Sequence, residues 1–463
     1  MPSLLSAKLA LARSAGALAR LGGGGATSLP GRVLLAIEPR AIGALGARLP
    51  RGSAVISATN GKTTTAAMAA GVLARAGVPL VHNRAGANMA GGVATTLLDA
   101  SRRGAIAGEL GLFEVDELWL ASVTEALQPR AIVLGNLFRD QLDRFGELEA
   151  IADSWAELLA RSPARAILNA DDPLLADLGR ERRPEDVLYF GVDDDTLALP
   201  GLGHAADAKH CRRCGSPYVF DAVYLGHLGH YHCPTCGARR PAPAIRAGEV
   251  ALHGVQSAAF TLFTPAGSAR VELALPGLYN VYNALAAAAL GCALEVPLEQ
   301  IVAGLQATRP AFGRAETVRL ARPGGGGREL RILLVKNPAG ANEVLRTLVL
   351  EPGRHDLLGV LNDQIADGRD VSWIWDADFE LLAGRVGSAV CAGTRAADLA
   401  ARLKYAGVEP ERIRIERELP RALDRARENG PPDAPLYALP TYTAMLSLRE
   451  LLVSRGAAAS RWS

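Results

Sequence analysis

The sequence predicts an α/β protein: a P-loop domain on a mostly parallel sheet, interrupted by a small four-cysteine zinc ribbon and followed by a second, Rossmann-like open α/β domain. Three observations predict it. Short apolar runs alternate with Ala- and Leu-rich helical stretches, as in a parallel sheet covered by helices. A phosphate-loop motif, Ser57-Ala-Thr-Asn-Gly-Lys-Thr-Thr64, sits between one such run and the next helical stretch. Two C-x-x-C pairs lie in a segment whose texture changes to Cys, His, Gly and Tyr.

The elements follow in order. Residues 1–50 form an N-terminal helical segment in which Leu4, Leu11 and Leu18 recur every seven residues, one stripe of an amphipathic helix. A packed helix is the leading reading, with a targeting segment and a membrane-surface helix as alternatives. No acidic residue precedes Glu38, but Lys8, Arg13 and Arg20 break every apolar core that a secretion signal would need. Residues 51–312 form the nucleotide-binding domain, with strands expected at 54–57, within 105–113, at 131–134 and at 166–168, and helices at 65–76 and 281–290. The ribbon insert occupies about 205–242. A hinge at 308–314, carrying Pro310 and Gly313, and a Gly-rich turn at 323–327 open the last domain, 313–463. Its strands are expected at 331–335, 357–361, 388–392, 412–415 and 436–439, each followed by a helical stretch.

Composition narrows the function. At about 150 residues per domain, 463 residues suggest about three domains. With 49% apolar and 21% charged residues the chain can bury several cores. The 50 Lys and Arg against 48 Asp and Glu leave a charge of +2, which argues against a dedicated nucleic-acid binder. No run reaches 18 apolar residues, so no membrane-spanning helix is expected. Six cysteines, four of them in C-x-x-C pairs, do not make a disulfide-stapled secreted protein, and a cytoplasmic location is the natural expectation. Cys292 and Cys391, in apolar runs, are expected as buried packing residues.

In the phosphate loop each residue type has a reason. Gly61 lets backbone N–H groups turn toward phosphate, Lys62 reaches the β/γ oxygens, Thr63 can ligate Mg²⁺, and the helix N-terminus adds its positive dipole. Thr59, Asn60 and Thr64 complete the cradle. Ile56 stands where the full Walker pattern has its first Gly. Glu114, in Glu114-Val-Asp-Glu117, ends an apolar run beside the loop, where Mg²⁺ needs a carboxylate; a solvated acidic turn is the plain alternative. Asn280 and Asn283 offer donors and acceptors to a nucleotide, although Asn280 can equally cap a helix.

Cys211-x-x-Cys214 and Cys233-x-x-Cys236 are separated by 18 residues (215–232), the spacing of a zinc ribbon. Gly215 and Gly237 suit the tight turns that deliver four thiolates to Zn²⁺. His210, His230 and His232 crowd the cluster, but four cysteines already close it. A site closed by four thiolates has no open position, so its expected role is structural.

Together the loop 59–64, Asn169-Ala-Asp-Asp-Pro173, Asn280 with Asn283, and Gly313-Arg314 resemble the Mur ligases, ATP-dependent enzymes of peptidoglycan synthesis with a central P-loop domain and a Rossmann-like C-terminal domain. The runs 136–147, Lys336-Asn-Pro-Ala-Gly340 and 362–376, with the four-cysteine insert, are similar to the branch that supplies the synthetase subunit of lipid II isoglutaminyl synthase. The resemblance implies Lys62 and Thr63 on phosphate and Mg²⁺, Glu114 on Mg²⁺, and Asn283 on the nucleotide. Ala58 departs from the glycine usual in the family's loop, and Gln141 from a metal-binding histidine common in the ligases that add amino acids.

The resemblance further implies amidation of the D-Glu α-carboxylate of the lipid II stem peptide. It implies ammonia from a glutaminase partner, GatD, and work at the inner face of the membrane through the lipid-linked substrate. It assigns Asp370 to a Cys-His pair held by that partner, with Asp363 and Asp367 in reserve; a helix cap at Asp370 is the bland reading. Two other functions stay open: a ligase adding an amino acid without any partner, and a zinc-ribbon nucleotide switch that binds nucleic acid.

Overall fold

The computed structural model describes residues 4–21, 28–83, 86–102, 105–140, 148–204, 206–309, 316–321, 327–431 and 433–458. The expectations for Gln141 and the rest of 141–147, for Pro310, Gly313 and Arg314, and for residues 323–326 lie outside them.

Among the described residues two large sheets carry most of the strands, beside two two-stranded pairs. The larger has nine strands in the order Gly267–Leu273, Ser257–Thr264, Ile245–His253, Val187–Val192, Arg165–Asn169, Ala131–Leu134, Ser53–Ser57, Leu110–Glu114 and Leu80–His82. From Ile245–His253 to Leu80–His82 the pairing is parallel, and the last two strands on the other side are antiparallel. Ser53–Ser57, buried at every residue, lies between strands that come later in the chain on both sides. That reversal of strand order is where ligands of open α/β sheets bind, at the carboxyl ends of the strands.

Separate cores cover the two faces. On one face, helices Lys62–Arg75, Leu278–Ala293 and Leu298–Ala307 pack on Ile56, Leu112 and Val133. The Ala-rich run 284–291, the most apolar stretch of the sequence, is buried throughout. Its small side chains let the helix lie between the sheet and its neighbours, so it is apolar all round without being a membrane span. Among the described residues no helix is long and apolar enough to cross a membrane.

The N-terminal leucine stripe is corrected. Helix Leu4–Leu21 buries Leu9, Ala12 and Gly16, whereas Leu11 and Leu18 are 58% and 69% exposed. Small residues at positions 12 and 16 allow closer approach to helix Leu29–Ile37 than leucines would, and packing chooses that side. Cys391 is buried as expected, but Cys292, near the end of its helix, is only half-buried.

The second sheet has six strands, in the order Glu316–Ala321, Gly327–Ile332, Leu436–Pro440, His355–Val360, Val386–Ala392 and Ile413–Ile415. All pair parallel except the edge strand Glu316–Ala321, which the sequence reading missed because it falls between two turn-rich stretches. Here Arg328 is fully buried. Its guanidinium donates to Asp356 Oδ2 (2.6 Å) and to the carbonyls of Ala434 (2.8 Å), Ala426 (3.0 Å) and Asn429, joining two strands and a helix end. Removing only the cation strands a buried carboxylate and several carbonyls. Arg328→Met should therefore lower unfolding stability by about 3–5 kcal/mol, read by denaturant titration of the full chain.

Candidate active site

The phosphate loop connects Ser53–Ser57 to helix Lys62–Arg75, which starts three residues earlier than the periodicity suggests. Gly61 makes the entry possible. Its φ is 83°, and a Cβ there would stand 2.0 Å from Asn283 Oδ1. Only glycine fits that backbone and that space.

The loop is held from the neighbouring strand end. Thr59 N donates to Asn136 O (3.0 Å), Asn60 N to Asn136 Oδ1 (2.9 Å), and Asn136 Nδ2 to Asn60 O (2.9 Å). Phe138 N donates to Thr59 Oγ1 (3.0 Å), which donates to Phe138 O (3.3 Å). Asn283 lies behind the loop: Thr65 Oγ1 donates to its Oδ1 (3.2 Å), and its Nδ2 donates to Asn280 Oδ1 (3.1 Å). Asn280 Nδ2 in turn holds Pro276 O (2.7 Å). Thr64 is buried in the first turn of the helix.

The charged groups converge at the loop. Thr63 Oγ1 donates to Glu114 Oε1 (3.0 Å), so a hydroxyl and a carboxylate already stand side by side as hard oxygen donors suited to Mg²⁺. Lys62 Nζ donates to Glu117 Oε2 (2.8 Å) and to Ala58 O. Burial alone would push the lysine pKa down; Glu117, with Glu114 and Asp116 behind it, outweighs that and holds it above the ordinary value. Glu117 as the partner of Lys62 went unrecognised in the sequence, although it ends the acidic run that drew attention to Glu114.

The second sheet's domain reaches over the loop. Lys336 Nζ stands 2.6 Å from Asp140 Oδ2 and 3.3 Å from Thr59 O. Asn337 Nδ2 donates to Asn60 Oδ1 (3.0 Å) and Asp140 Oδ1 (3.2 Å), while its Oδ1 caps helix Pro338–Val349 at Gly340 N (2.9 Å). Sequence reasoning did not find this bridge, because nothing local pairs residues so far apart in the chain.

The aspartates of 362–376 have separate fates. Asp367 is buried and accepts from Thr443 N (2.7 Å) and Thr443 Oγ1. Half-buried Asp363 accepts from Thr394 Oγ1 (2.8 Å). Asp370 is exposed and accepts from Ser372 N (2.8 Å) at the start of the one-turn helix Ser372–Trp375, a contact that holds its carboxyl pKa below the usual range. Of the three it is the most accessible.

The four ribbon sulfurs lie within 4.8 Å of one another, with Cys211 and Cys236 3.6 Å apart and Cys214 and Cys233 3.4 Å apart. Thiolates around one tetrahedral Zn²⁺ stand about 3.8 Å apart, far beyond the roughly 2.05 Å of a disulfide. Gly215 N donates to Cys211 O (2.8 Å) and Gly237 N to Cys233 O (3.0 Å), with φ values of 72° and 73° in two matching turns. The Ser216 N–H and hydroxyl hold the Cys214 thiol down to about 6. Cys236 is pushed up to about 11: the Ala238 N–H favours its thiolate, but burial and the neighbouring sulfurs outweigh it. Four sulfurs so close can share one cation, and the donor set fits Zn²⁺.

Known proteins are similar to this chain in sequence and in fold. The Mur ligase middle-domain family matches residues 56–212, and the MurT ligase C-terminal family matches residues 334–445. The MurT subunit of the glutamine-hydrolysing lipid II isoglutaminyl synthase of Streptococcus pneumoniae is 33% identical over 95% of this chain and 94% of its own. The MurT subunit from Staphylococcus aureus is 31% identical over 96% of each. Among solved structures, a pseudomurein peptide ligase type C from Methanothermus fervidus superposes with a TM-score of 0.66 at 20% identity, covering 88% of this chain and 79% of that one. MurF ligase from Thermotoga maritima in complex with ADP gives 0.61 at 15% identity, covering 91% and 85%. At such identities the structures speak for the fold alone.

Metal analysis of freshly purified protein should find one Zn²⁺ per chain. Cys233→Ser should lower both zinc content and melting temperature, and zinc-free, fully stable wild-type protein would contradict the assignment.

Proposed function

The chain belongs to the Mur ligase family, in the branch of the MurT subunits, and from that membership we propose that it is the synthetase subunit of a lipid II isoglutaminyl synthase. The α-carboxylate of D-Glu in the lipid II stem peptide attacks the γ-phosphorus of ATP, giving an acyl phosphate and ADP. Ammonia then attacks the acyl carbon, phosphate leaves, and D-isoglutamine remains. The observation that carries this reading is the cluster of Lys62, Thr63 and Glu114 at the sheet's carboxyl edge, beneath Lys336 and Asn337 of the second domain.

Each residue has a part. The loop from Thr59 to Thr64 presents N–H groups and a helix N-terminus to the phosphates. Lys62 exchanges Glu117 for the phosphoryl oxygens and neutralises charge as the group transfers. Thr63 and Glu114 would hold Mg²⁺, which supplies further charge neutralisation there. Asn283 keeps the loop's rear wall in register for the nucleotide. Zn²⁺ in the ribbon would be structural.

Ammonia comes, in this reading, from a GatD-like glutaminase subunit. Asp370 completes that partner's Cys-His pair by orienting the imidazole and stabilising its charged form. The surface beside Asp370 suits a partner. Ile365 is 73% exposed, Trp375 51% and Tyr405 72%, and the two rings pack with centroids 5.8 Å apart. Exposed, pre-ordered aromatics of this kind anchor protein interfaces. Substrate meets enzyme at the inner face of the membrane because lipid II is itself lipid-linked.

Lys62→Ala should reduce ATP-dependent amidation with ammonia by roughly two orders of magnitude or more, with melting followed in parallel because Glu117 loses its partner. Efficient turnover by a folded variant would remove the loop from the chemistry. In the reconstituted complex, Asp370→Asn should lower glutamine hydrolysis by on the order of 100-fold or more while ammonia-driven amidation persists. Unchanged glutamine hydrolysis would leave Asp370 as a helix cap only.

A further inference from the structure

The ribbon is more than an appendage, because the two ends of its hairpin do different things. Val219–Leu225 and Leu228–His232 pair antiparallel, with the cysteine turns at the open end and Gly226-His227 at the closed end. Strands of this length separate the ends by roughly 20 Å. The closed end does not face solvent: Leu225 and Leu228 belong to the large core and His227 is fully buried.

His227 stands against the segment that holds the phosphate loop. Its ring centroid is 4.6 Å from that of Phe138, whose backbone grips the Thr59 hydroxyl in both directions. Asp207 N donates to His227 Nδ1 (3.3 Å), and its Nε2 lies 3.5 Å from Asp172 Oδ1, the carboxylate whose other oxygen accepts from Leu137 N (2.9 Å). Asp207 also accepts from Arg139 N (2.9 Å) and from the Arg139 guanidinium. Residues 136–140 have no helical or strand pairing of their own. Besides their bonds to the phosphate loop itself, they are held by Asp172, by the bridge from Lys336 and Asn337, and, from the insert, by His227 and Asp207.

We propose that the ribbon insert braces the phosphate loop for nucleotide through residues 136–140, with His227 and Asp207 as positioning residues. The hairpin needs its metal clamp for this. Its register shifts at Leu228/Gly229 and again at His230/Tyr231, so the ladder is interrupted twice between the cysteine turns and His227. Four sulfurs around one ion would fix the open end, and the paired strands would carry that fixed register to His227.

The inference rests on the nucleotide-site reading, so its test measures nucleotide directly and needs no turnover. Mg-ATP binding to the full chain is measured by calorimetry well below the melting temperature, with zinc content and melting recorded for every variant. His227→Phe keeps the ring against Phe138 and loses the acceptor for Asp207 N. Asp207→Ala removes the carboxylate that holds the Arg139 N–H and guanidinium, leaving Arg139 the more distant Asp376 at 3.8 Å. Both should weaken ATP five- to tenfold with one zinc per chain retained and melting unchanged, and Asp207→Asn should recover part of the affinity. Wild-type affinity in both variants would overturn the proposal, as would a loss that only tracks zinc or melting. Failure of the wild-type chain to bind Mg-ATP would instead count against the nucleotide site itself.

Discussion

The site depends on one backbone conformation, the left-handed turn at Gly61 against Asn283. It lets the helix begin at Lys62 and directs the following N–H groups and the Thr63 hydroxyl to the same side. A side chain at position 61 would push against Asn283, and the displacement would pass to Thr65 and Asn280 on that helix pair. The buried alanine helix, the reversal of strand order and the acidic strand end all meet at this one turn.

Charge at the site is arranged around a substitution of partners. Lys62 is buried among Glu114, Asp116 and Glu117, so in the ligand-free chain the lysine already has its counter-charge. In the proposed reaction a polyphosphate would compete with Glu117 for the lysine and bring its own cation for the carboxylates. Buried ion pairs contribute little to stability by themselves, because desolvation offsets attraction, but they keep a charged group in position until its ligand arrives. Lys336 and Asp140 make a similar pair one layer out, where the second domain meets the loop.

Local chemistry was legible in the sequence, and assembly was not. Gly61-Lys62-Thr63, Glu114 and the four cysteines announce themselves because each motif needs its residue types at fixed short spacing. The same holds for most strands, whose apolar runs survive in the structure within a residue or two. Glu117, Lys336 and Asn337 act through partners far away in sequence, and no spacing rule reaches them. The N-terminal helix shows the opposite failure: a clean leucine period pointed to the wrong side, because tight packing at Ala12 and Gly16 decides which stripe is buried. In the sequence His227 gives no sign of its place, since a lone histidine in a glycine turn carries no signal until its neighbours are known.

The ribbon also occupies a telling place in the connectivity. It lies in the crossover between Val187–Val192 and Ile245–His253, adjacent parallel strands whose connection would ordinarily be a helix. The strands before it, from Ser53–Ser57 to Val187–Val192, can pair as soon as they are synthesised. The three strands after it must be brought back across a long loop, whose closure entropy is reduced once that loop is itself compact. A compact ribbon thereby lowers the entropy cost of bringing the outer strands back to the sheet. The four cysteines that close the ribbon thus bear on the completion of the sheet as well as on their own module.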